Sequence, residues 1–222
     1  MTYQEHFEQS CELRDNFWKS TGELDPDVIA HMINPSFMGG PTWPSLRQAF
    51  ITVRRPDVTI LASDGLSDPY DDMDTNDANA EYNGFGLEVY VESAPIDGPV
   101  QHTWQFNLVW QAAQLMAQQG SIISLLEEMT YITTEFYDVA VPEEFRTENG
   151  TVGAILGLPN TKFDDKVQLS LENVKMVNVK LLTLAELNYV IANGAAGRME
   201  LAEKLIAQGN ATLSAIERPS VV

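Results

Sequence analysis

Cysteine and histidine are scarce in this chain, and their scarcity excludes several classes of site. The 222 residues include one cysteine and three histidines. The lone Cys11 excludes an internal disulfide framework and any zinc site built from cysteines. Its place in an amphipathic segment favours a buried small side chain over a nucleophile. The histidines His6, His31 and His102 lack the spacing that zinc ligands need. We therefore predict no metal centre built on cysteine or histidine.

Basic residues are also few, and this leaves a large negative charge. The chain has 13 lysines and arginines against 32 aspartates and glutamates, a formal net charge of −19. A field of that sign repels nucleic acids and anionic lipids, and it attracts metal cations, cationic ligands and basic proteins. We expect no nucleic-acid partner and no membrane partner. Solubility alone is the alternative explanation of the charge.

Long hydrophobic runs and targeting signals are missing as well. No stretch approaches the roughly 18 uninterrupted apolar residues of a membrane-spanning helix. The first twenty residues are acidic in character and lack the basic start, apolar run and cleavage site of a signal peptide. These features predict a cytoplasmic protein.

The hydrophobic patterns that are present predict helices around a strand-rich middle. Predicted helices cover residues 3–22, 28–33, 104–117, 122–131, 183–193 and 199–209. Predicted strands or extended segments cover residues 50–53, 58–61, 84–92, 136–141, 152–156, 166–171 and 174–182. Neighbouring strands come in pairs rather than alternating with helices, which favours an α+β fold with a mixed or antiparallel sheet over a doubly wound one. No linker divides the chain, so we expect one domain over residues 1–222.

Two of these segments carry especially specific patterns. Residues 84–92 alternate apolar side chains on one face, which predicts a strand inside the sheet. Thr183 and Glu186 form a capping box, in which each side chain can accept a hydrogen bond from the backbone N–H of the other residue, and this predicts a helix start.

An acidic loop over residues 64–83 is the strongest candidate for a metal site. The pattern Asp72-x-Asp74-x-Asn76 supplies the first three ligand positions of a calcium-binding EF-hand loop. The pattern then breaks, because Asp77 stands where the sharp turn needs glycine and Asn83 stands where the bidentate glutamate should be. We interpret the segment as a solvated loop and predict no bound metal or cofactor.

The sequence contains none of the common catalytic motifs in complete form. There is no Gly-x-Ser-x-Gly nucleophile elbow and no phosphate-binding loop. Gly84-Phe85-Gly86 lacks the third glycine of a dinucleotide fingerprint and opens a strand instead of a helix. We predict no catalytic residues. A hydrolase or a small-ligand-binding protein using the acidic-loop carboxylates remains the alternative, since convergence of carboxylates across a cleft is a tertiary property.

Two linked motifs resemble the suppressor-of-fused (SUFU) domain. The run Gly-Leu-Ser-Asp-Pro-Tyr-Asp-Asp at residues 65–72 is similar to the family's Gly-Leu-Ser-Asp-x-Tyr-Gly-Asp. The run Asn-Gly-Phe-Gly-Leu-Glu at residues 83–88 is similar to its Ser-Gly-Phe-Gly-x-Glu. Asp71 replaces the family's glycine and Asn83 its serine. The resemblance covers about residues 35–210.

The resemblance implies a compact mixed α/β fold with a non-enzymatic role. In animals the family's larger member binds a short extended peptide of Gli transcription factors between two domains. The motif tyrosine, here Tyr70, lies at that peptide site, and nearby acidic residues contribute to it. The implied partner-binding residues are Tyr70, Asp68, Asp72, Asp74 and Asp77. In the alternative interpretation, Tyr70 packs on the sheet as a structural residue, and Ser67 and Asp68 cap a turn.

The implied partner is a protein other than Gli. This chain resembles only the amino-terminal type of domain, so the second half of the peptide clamp is missing. Compact bacterial relatives are associated with polymorphic toxin systems as candidate immunity proteins. A large negative charge would steer such a protein toward a cationic toxin domain, because long-range attraction speeds encounter. We expect a protein-binding domain of this type.

We predict that millimolar calcium leaves the melting temperature unchanged, because the acidic loop lacks the turn glycine and the bidentate glutamate of an EF-hand. Thermal unfolding with calcium, with magnesium and with neither ion measures this, since a ligand that binds the folded state raises its stability. A rise of several degrees specific to calcium would contradict the prediction.

Overall fold

The computed structural model describes residues 1–222 as a ten-stranded sheet with helices on both faces. The helices are α1 (Tyr3–Thr21), α2 (Trp104–Gln119), α3 (Ile122–Met129) and α4 (Leu184–Ala207). The strands are β1 (Glu23–Leu24), β2 (Ile29–Ala30), β3 (Ala49–Arg54), β4 (Thr59–Asp64), β5 (Leu87–Ser93), β6 (Ile132–Phe136), β7 (Val152–Leu156), β8 (Lys166–Gln168), β9 (Asn173–Leu181) and β10 (Leu213–Ser214). No helix combines the length and the apolar character needed to cross a membrane.

The sheet is mixed and largely antiparallel. Its main path runs β1-β3-β4-β5-β9-β7-β6, while β2 pairs with β3, β8 with β9 and β10 with β5. Only the pairings of β5 with β9 and with β10 are parallel. This arrangement confirms the predicted α+β fold with a mixed sheet.

Helices cover each face of the sheet at a different place. On one face α2 packs on apolar side chains of the central strands, such as Leu61, Val89 and Val177, and α3 lies beside β6. On the other face α1 packs over β3 and β4, and α4 packs over β7. The buried residues Ser10, Arg14 and Trp18 of α1 are spaced by four and therefore share the helix face toward the sheet.

Strand β5 lies inside the sheet, between β4 and β9, as predicted. It begins at Leu87 rather than at Gly84, because Gly84 and Gly86 have φ values of +56° and +70° and form a turn instead. Every residue of the strand is buried, including Glu88 and Glu92 on the face toward α1. Two carboxylates therefore lie in the interior.

The last long helix begins at the predicted capping box. The hydroxyl of Thr183 accepts a hydrogen bond from the Glu186 backbone N–H, and the Glu186 carboxylate accepts one from the Thr183 backbone N–H. The two predicted helices on either side of Gly194 join into one element, with a kink at Gly194, where φ is +59°. Glycine tolerates this φ because it has no Cβ.

Two secondary-structure predictions are wrong. Residues 28–33 form no helix; Ile29 and Ala30 pair with β3 instead, since six residues are too few for a stable isolated helix and the β3 edge offers partners for their backbone groups. The predicted extended segment 136–141 lies mostly outside strand β6, which ends at Phe136 because its partner β7 begins at Val152.

We predict that Gly84→Ala destabilises the fold. A Cβ there would lie 2.4 Å from the Leu66 carbonyl oxygen and 2.7 Å from that of Asp68, so the backbone would have to move. The free energy of unfolding should fall by about 3 kcal/mol or more in urea titrations.

Gly98→Ala is the matched control. Gly98 has a φ of +78° but no heavy atom within 4 Å of an added Cβ. Gly98→Ala should lower the free energy of unfolding by about 1 kcal/mol, because only the backbone conformation is unfavourable for alanine. Equal losses in the two variants would contradict close packing at Gly84.

Candidate functional site

A buried arginine organises the first motif. The Arg14 side chain is 1% exposed. Its Nε donates a hydrogen bond to Asp64 Oδ1 at 2.6 Å, and its Nη2 donates to Asp68 Oδ1 at 2.7 Å. Its Nη1 donates to Ser67 Oγ at 3.0 Å. Helix α1 is therefore bound to the end of β4 and to the turn that follows it.

A second arginine shares these carboxylates. Arg47 is ion-paired with the Asp64 carboxylate and donates from Nη1 to the Asp64 backbone carbonyl at 2.9 Å. Burial alone would raise the pKa of Asp64, but the charges of Arg14 and Arg47 outweigh it and hold that pKa below its ordinary value. For the basic Arg14, burial alone would lower the pKa, but the surrounding carboxylates, chiefly Asp64 and Asp68, raise it well above its ordinary value. The arginines and the carboxylates thus stabilise each other in their ionised forms.

The two motifs are joined through Glu88. This carboxylate accepts hydrogen bonds from the backbone N–H groups of Gly65 and Ser67, each at 3.0 Å. It also accepts from the hydroxyls of Ser63 at 2.5 Å and Ser67 at 2.6 Å. Arg14 Nη1 lies 3.6 Å from Glu88 Oε1. The glutamate of the second motif therefore fixes the turn of the first.

Asn83 extends the same network. Its Nδ2 donates to Ser10 Oγ at 2.9 Å, and its Oδ1 accepts from the backbone N–H groups of Leu171 and Glu172 at 2.9 and 3.2 Å. Asn83 thereby links α1 to the β8–β9 connection. We name the set Arg14, Arg47, Asp64, Asp68, Ser67, Asn83 and Glu88 the motif network.

The five predicted binding residues differ in burial and in contacts, and they do not form one surface. Asp68 is 0% exposed and faces Arg14 and Ser45, so it is not at the surface. Asp74 accepts hydrogen bonds at 3.0 and 3.2 Å from the backbone N–H of Tyr3, in the first turn of α1, where a carboxylate also complements the helix dipole. Asp72 and Asp77 are exposed, and Tyr70 is half-buried.

The acidic loop is solvated only over residues 71–82, apart from the buried Met73. Asp64 and Asp68 are buried, which corrects the expectation of a solvated loop over residues 64–83, because the arginines of the motif network draw both carboxylates inside. In the exposed part, Asp72 accepts hydrogen bonds from Asn76 at 2.9 Å and Asn79 at 2.8 Å, which lower its pKa. No group of three or more potential ligands is arranged to hold a metal ion.

A cavity of about 360 Å³ opens beside Tyr70. We name it the Trp43 cavity; its walls include Trp43, Gln48, Tyr70, Asp71, Asp72 and Phe85. The rings of Tyr70 and Phe85 pack edge to face with centroids 6.3 Å apart. Sequence reasoning missed Trp43 and Gln48, because no local pattern in residues 34–48 indicates that this segment faces Tyr70.

Exposed apolar side chains are concentrated in residues 32–46, the segment that supplies part of the cavity wall. Met32, Ile33, Phe37, Met38 and Leu46 are each more than 60% exposed. Leu46 lines the Trp43 cavity, and Asn34 and Ser36 from the same segment line it too. A concentration of exposed apolar groups marks interaction surfaces in soluble proteins. The cavity therefore lies on a surface suited to contact with another molecule.

Comparison with solved structures identifies the fold. A chain in the crystal structure of the Sufu–Fu complex matches with a TM-score of 0.60 at 12% identity, covering 97% of this chain and 92% of that one. The crystal structure of Drosophila Suppressor of Fused matches with a TM-score of 0.50 at 13% identity over 78% of this chain, which spans 42% of that chain. No protein-family model and no curated protein matches the sequence. At these identities the likeness establishes the fold alone.

We predict that Arg14→Met is strongly destabilising, because it leaves buried carboxylates with less compensation. The free energy of unfolding at pH 7 should fall by about 3–5 kcal/mol, the usual effect of removing one partner from a buried ion pair. Lys19→Met is the control, since Lys19 and its partner Asp15 are exposed and such a pair contributes less than about 1 kcal/mol.

The loss of stability caused by Arg14→Met should also depend on pH. The folded state lowers the pKa of Asp64, so its ionised form adds stability that is complete above its ordinary pKa and is lost as the pH falls through the folded value. The difference between wild type and Arg14→Met should therefore shrink below about pH 4. Denaturant titrations across pH 3–7 measure it, and a difference independent of pH would contradict the ionic account.

Proposed function

Because the chain has the suppressor-of-fused fold, we propose that it is a protein-binding domain without catalytic activity, and that its partner is a basic protein. The similar crystal structure of a Sufu–Fu complex supports a protein partner in general. The cavity and its exposed apolar surroundings support the same conclusion, because they offer a partner both apolar contact and a recess.

The observation that carries the proposal is the position of exposed carboxylates at this recess. Asp71 and Asp72 are exposed and line the Trp43 cavity beside Tyr70, and Asp77 is exposed on the same loop. Hydrogen bonds from Arg14 and Ser45 hold Asp68, three residues before Asp71, in place. A fixed group of carboxylates next to apolar side chains favours a cationic partner surface, because charge complementarity speeds association and selects partners.

The specific role we propose is immunity to a cationic toxin domain in the cytoplasm. The net charge of −19 supports a basic target, since a protein of this charge attracts it over distance. The resemblance to compact bacterial SUFU-like proteins supports the toxin context. Inhibition would then follow from covering a basic surface of the toxin.

The alternative of a hydrolase needs two carboxylates facing one cleft. Asp71 and Asp72 both line the Trp43 cavity, but they are exposed, and hydrogen bonds from Asn76 and Asn79 lower the pKa of Asp72, whereas a general acid needs a raised pKa. The buried carboxylates that converge, Asp64, Asp68 and Glu88, are each at most 3% exposed. They accept hydrogen bonds from Arg14, Ser45 and the backbone of the motif turn, among others. This arrangement supports a structural role for them and favours the binding proposal.

We predict that reversing the charge at the cavity weakens partner binding. The double variant Asp71→Lys, Asp72→Lys should bind the proteins captured by the wild type from an extract of the source organism at least about tenfold more weakly, because it places like charges opposite a basic surface. Wild-type binding should weaken steeply with salt.

The control is Asp97→Lys, Asp164→Lys, which changes the net charge equally at exposed positions away from the cavity. It should retain the partner. Equal capture by both variants, with unchanged salt dependence, would exclude this surface. Capture of no protein by any form would count against the binding function itself.

A further inference from the structure

Two long stretches of this acidic chain carry no charged residue. Residues 28–46 and 98–126 contain no aspartate, glutamate, lysine or arginine, although 20% of all residues in the chain are charged. The second stretch includes the whole of helix α2. The polar side of a surface helix typically carries charged residues, whereas the polar residues of α2 are all glutamine or asparagine. The charge of the protein therefore lies outside these two stretches.

The two uncharged stretches meet in the fold. Trp110 of α2 donates a hydrogen bond from Nε1 to His31 Nε2 at 3.0 Å, and the two rings pack with centroids 6.1 Å apart. A groove of about 380 Å³ lies between α2 and residues 31–41, and no charged residue lines it. We name the groove, together with the exposed apolar side chains of the segment beside it, the neutral face. Its apolar members are Met32, Ile33, Phe37, Met38 and Trp110.

The neutral face is distinct from the Trp43 cavity. Asn34 and Ser36 line the Trp43 cavity, whereas Ile33 and Pro35, which alternate with them along the chain, line the groove. The segment therefore presents one side to the acidic cavity and the other side to α2. Since no carboxylate lines the groove, it offers nothing that would attract the basic partner proposed above.

We propose that the neutral face binds a second copy of this chain in a symmetric dimer, independently of the basic partner. In a two-fold interface the same patch of each copy meets itself. An acidic patch would then place like charges opposite each other, whereas an uncharged apolar patch is complementary to itself. Two copies that each carry a net charge of −19 can therefore associate at this face with the least repulsion.

The composition and the area of the neutral face suit such an interface. The centres of protein interfaces are depleted in charge and enriched in aromatic residues and methionine, and Met32, Phe37 and Met38 are each more than 70% exposed. Together with Ile33 they offer on the order of 400 Å² of apolar surface, at roughly 100 Å² for each side chain. A stable interface buries about 800 Å² on each partner, of which about 60% is apolar. The neutral face supplies most of that apolar share.

The test measures the mass of the full chain by sedimentation equilibrium over a range of concentrations. We expect the mass to rise with concentration from 24.7 kDa toward twice that value. Added salt should strengthen this association, because it screens the repulsion between two acidic chains. Binding to a basic partner should instead weaken with salt, so the two kinds of association are distinguishable.

Charged substitutions locate the interface. Met32→Glu, Met38→Glu places like charges in the contact and should raise the dissociation constant of the dimer at least about a hundredfold. The control is Ile191→Glu, Met199→Glu, which adds the same charge at exposed apolar positions of α4. The control should dimerise nearly as well as the wild type. Met32→Lys, Met38→Lys should form a mixed dimer with the glutamate variant, because opposite charges then face each other.

A mass of one chain at every concentration up to about 1 mM would overturn the proposal. So would a dimer that Met32→Glu, Met38→Glu forms as tightly as the wild type, since the contact would then lie elsewhere. If the wild type is monomeric but binds phosphatidylcholine vesicles, or captures a protein that the glutamate variant does not, the neutral face serves that partner and the dimer is wrong. Asp71→Lys, Asp72→Lys should still dimerise, so failure of the dimer and failure of the proposed function are observed separately.

Discussion

The guanidinium of Arg14 connects distant parts of this fold because its hydrogen-bond partners come from separate segments. Asp64 ends strand β4, and Ser67 and Asp68 belong to the turn after it. Glu88, in the central strand β5, lies within ion-pair distance of the same group. Burying three carboxylates would be prohibitively unfavourable without such compensation. The position of α1 on the sheet, the shape of the motif turn and the burial of β5 on both faces all depend on this group.

The motif network also shows which structural feature the two motifs encode. Most of their polar side chains point inward and bind one another, so the motifs encode the connection between α1, β4 and β5. The surface begins where the network ends, at Tyr70 and the exposed aspartates after it. A chain can therefore share the motifs, and with them the fold, while presenting a different surface to a different partner. The divergent residue Asp71 is one of those that line the cavity.

Much of the fold was predictable because its patterns are local. Strand β7 matches its predicted bounds because a run of apolar residues between turn signals has few alternatives. The capping box of α4 depends on two residues three apart. By contrast, Ile29 and Ala30 form a strand because β3 lies beside them, and no local pattern records that neighbour.

The site was less predictable for the same reason. An aspartate in a loop is ordinarily solvated, so the sequence predicts an exposed Asp68, whereas in the structure Arg14 binds it in the interior. A signal was present in the sequence: Arg14 stands between Ser10 and Trp18 at spacings of four, a charged residue on the face of the helix that packs on the sheet. Trp43 and Gln48 line one cavity with Tyr70, which lies more than twenty residues further along the chain, and no local pattern encodes such a contact.

The distances along the chain between Arg14 and its partners bear on the order of folding. Asp64 and Asp68 lie 50 and 54 residues after Arg14, and Glu88 lies further still. Contacts between remote residues form late, since the chain must close a long loop before they add stability. During synthesis, α1 emerges before the segments that carry these carboxylates. Arg14 can compensate the charges of Asp64, Asp68 and Glu88 only if α1 is still undocked when β4 and β5 emerge. We therefore expect α1 to dock after β4 and β5 have paired, although it precedes both of them in the chain.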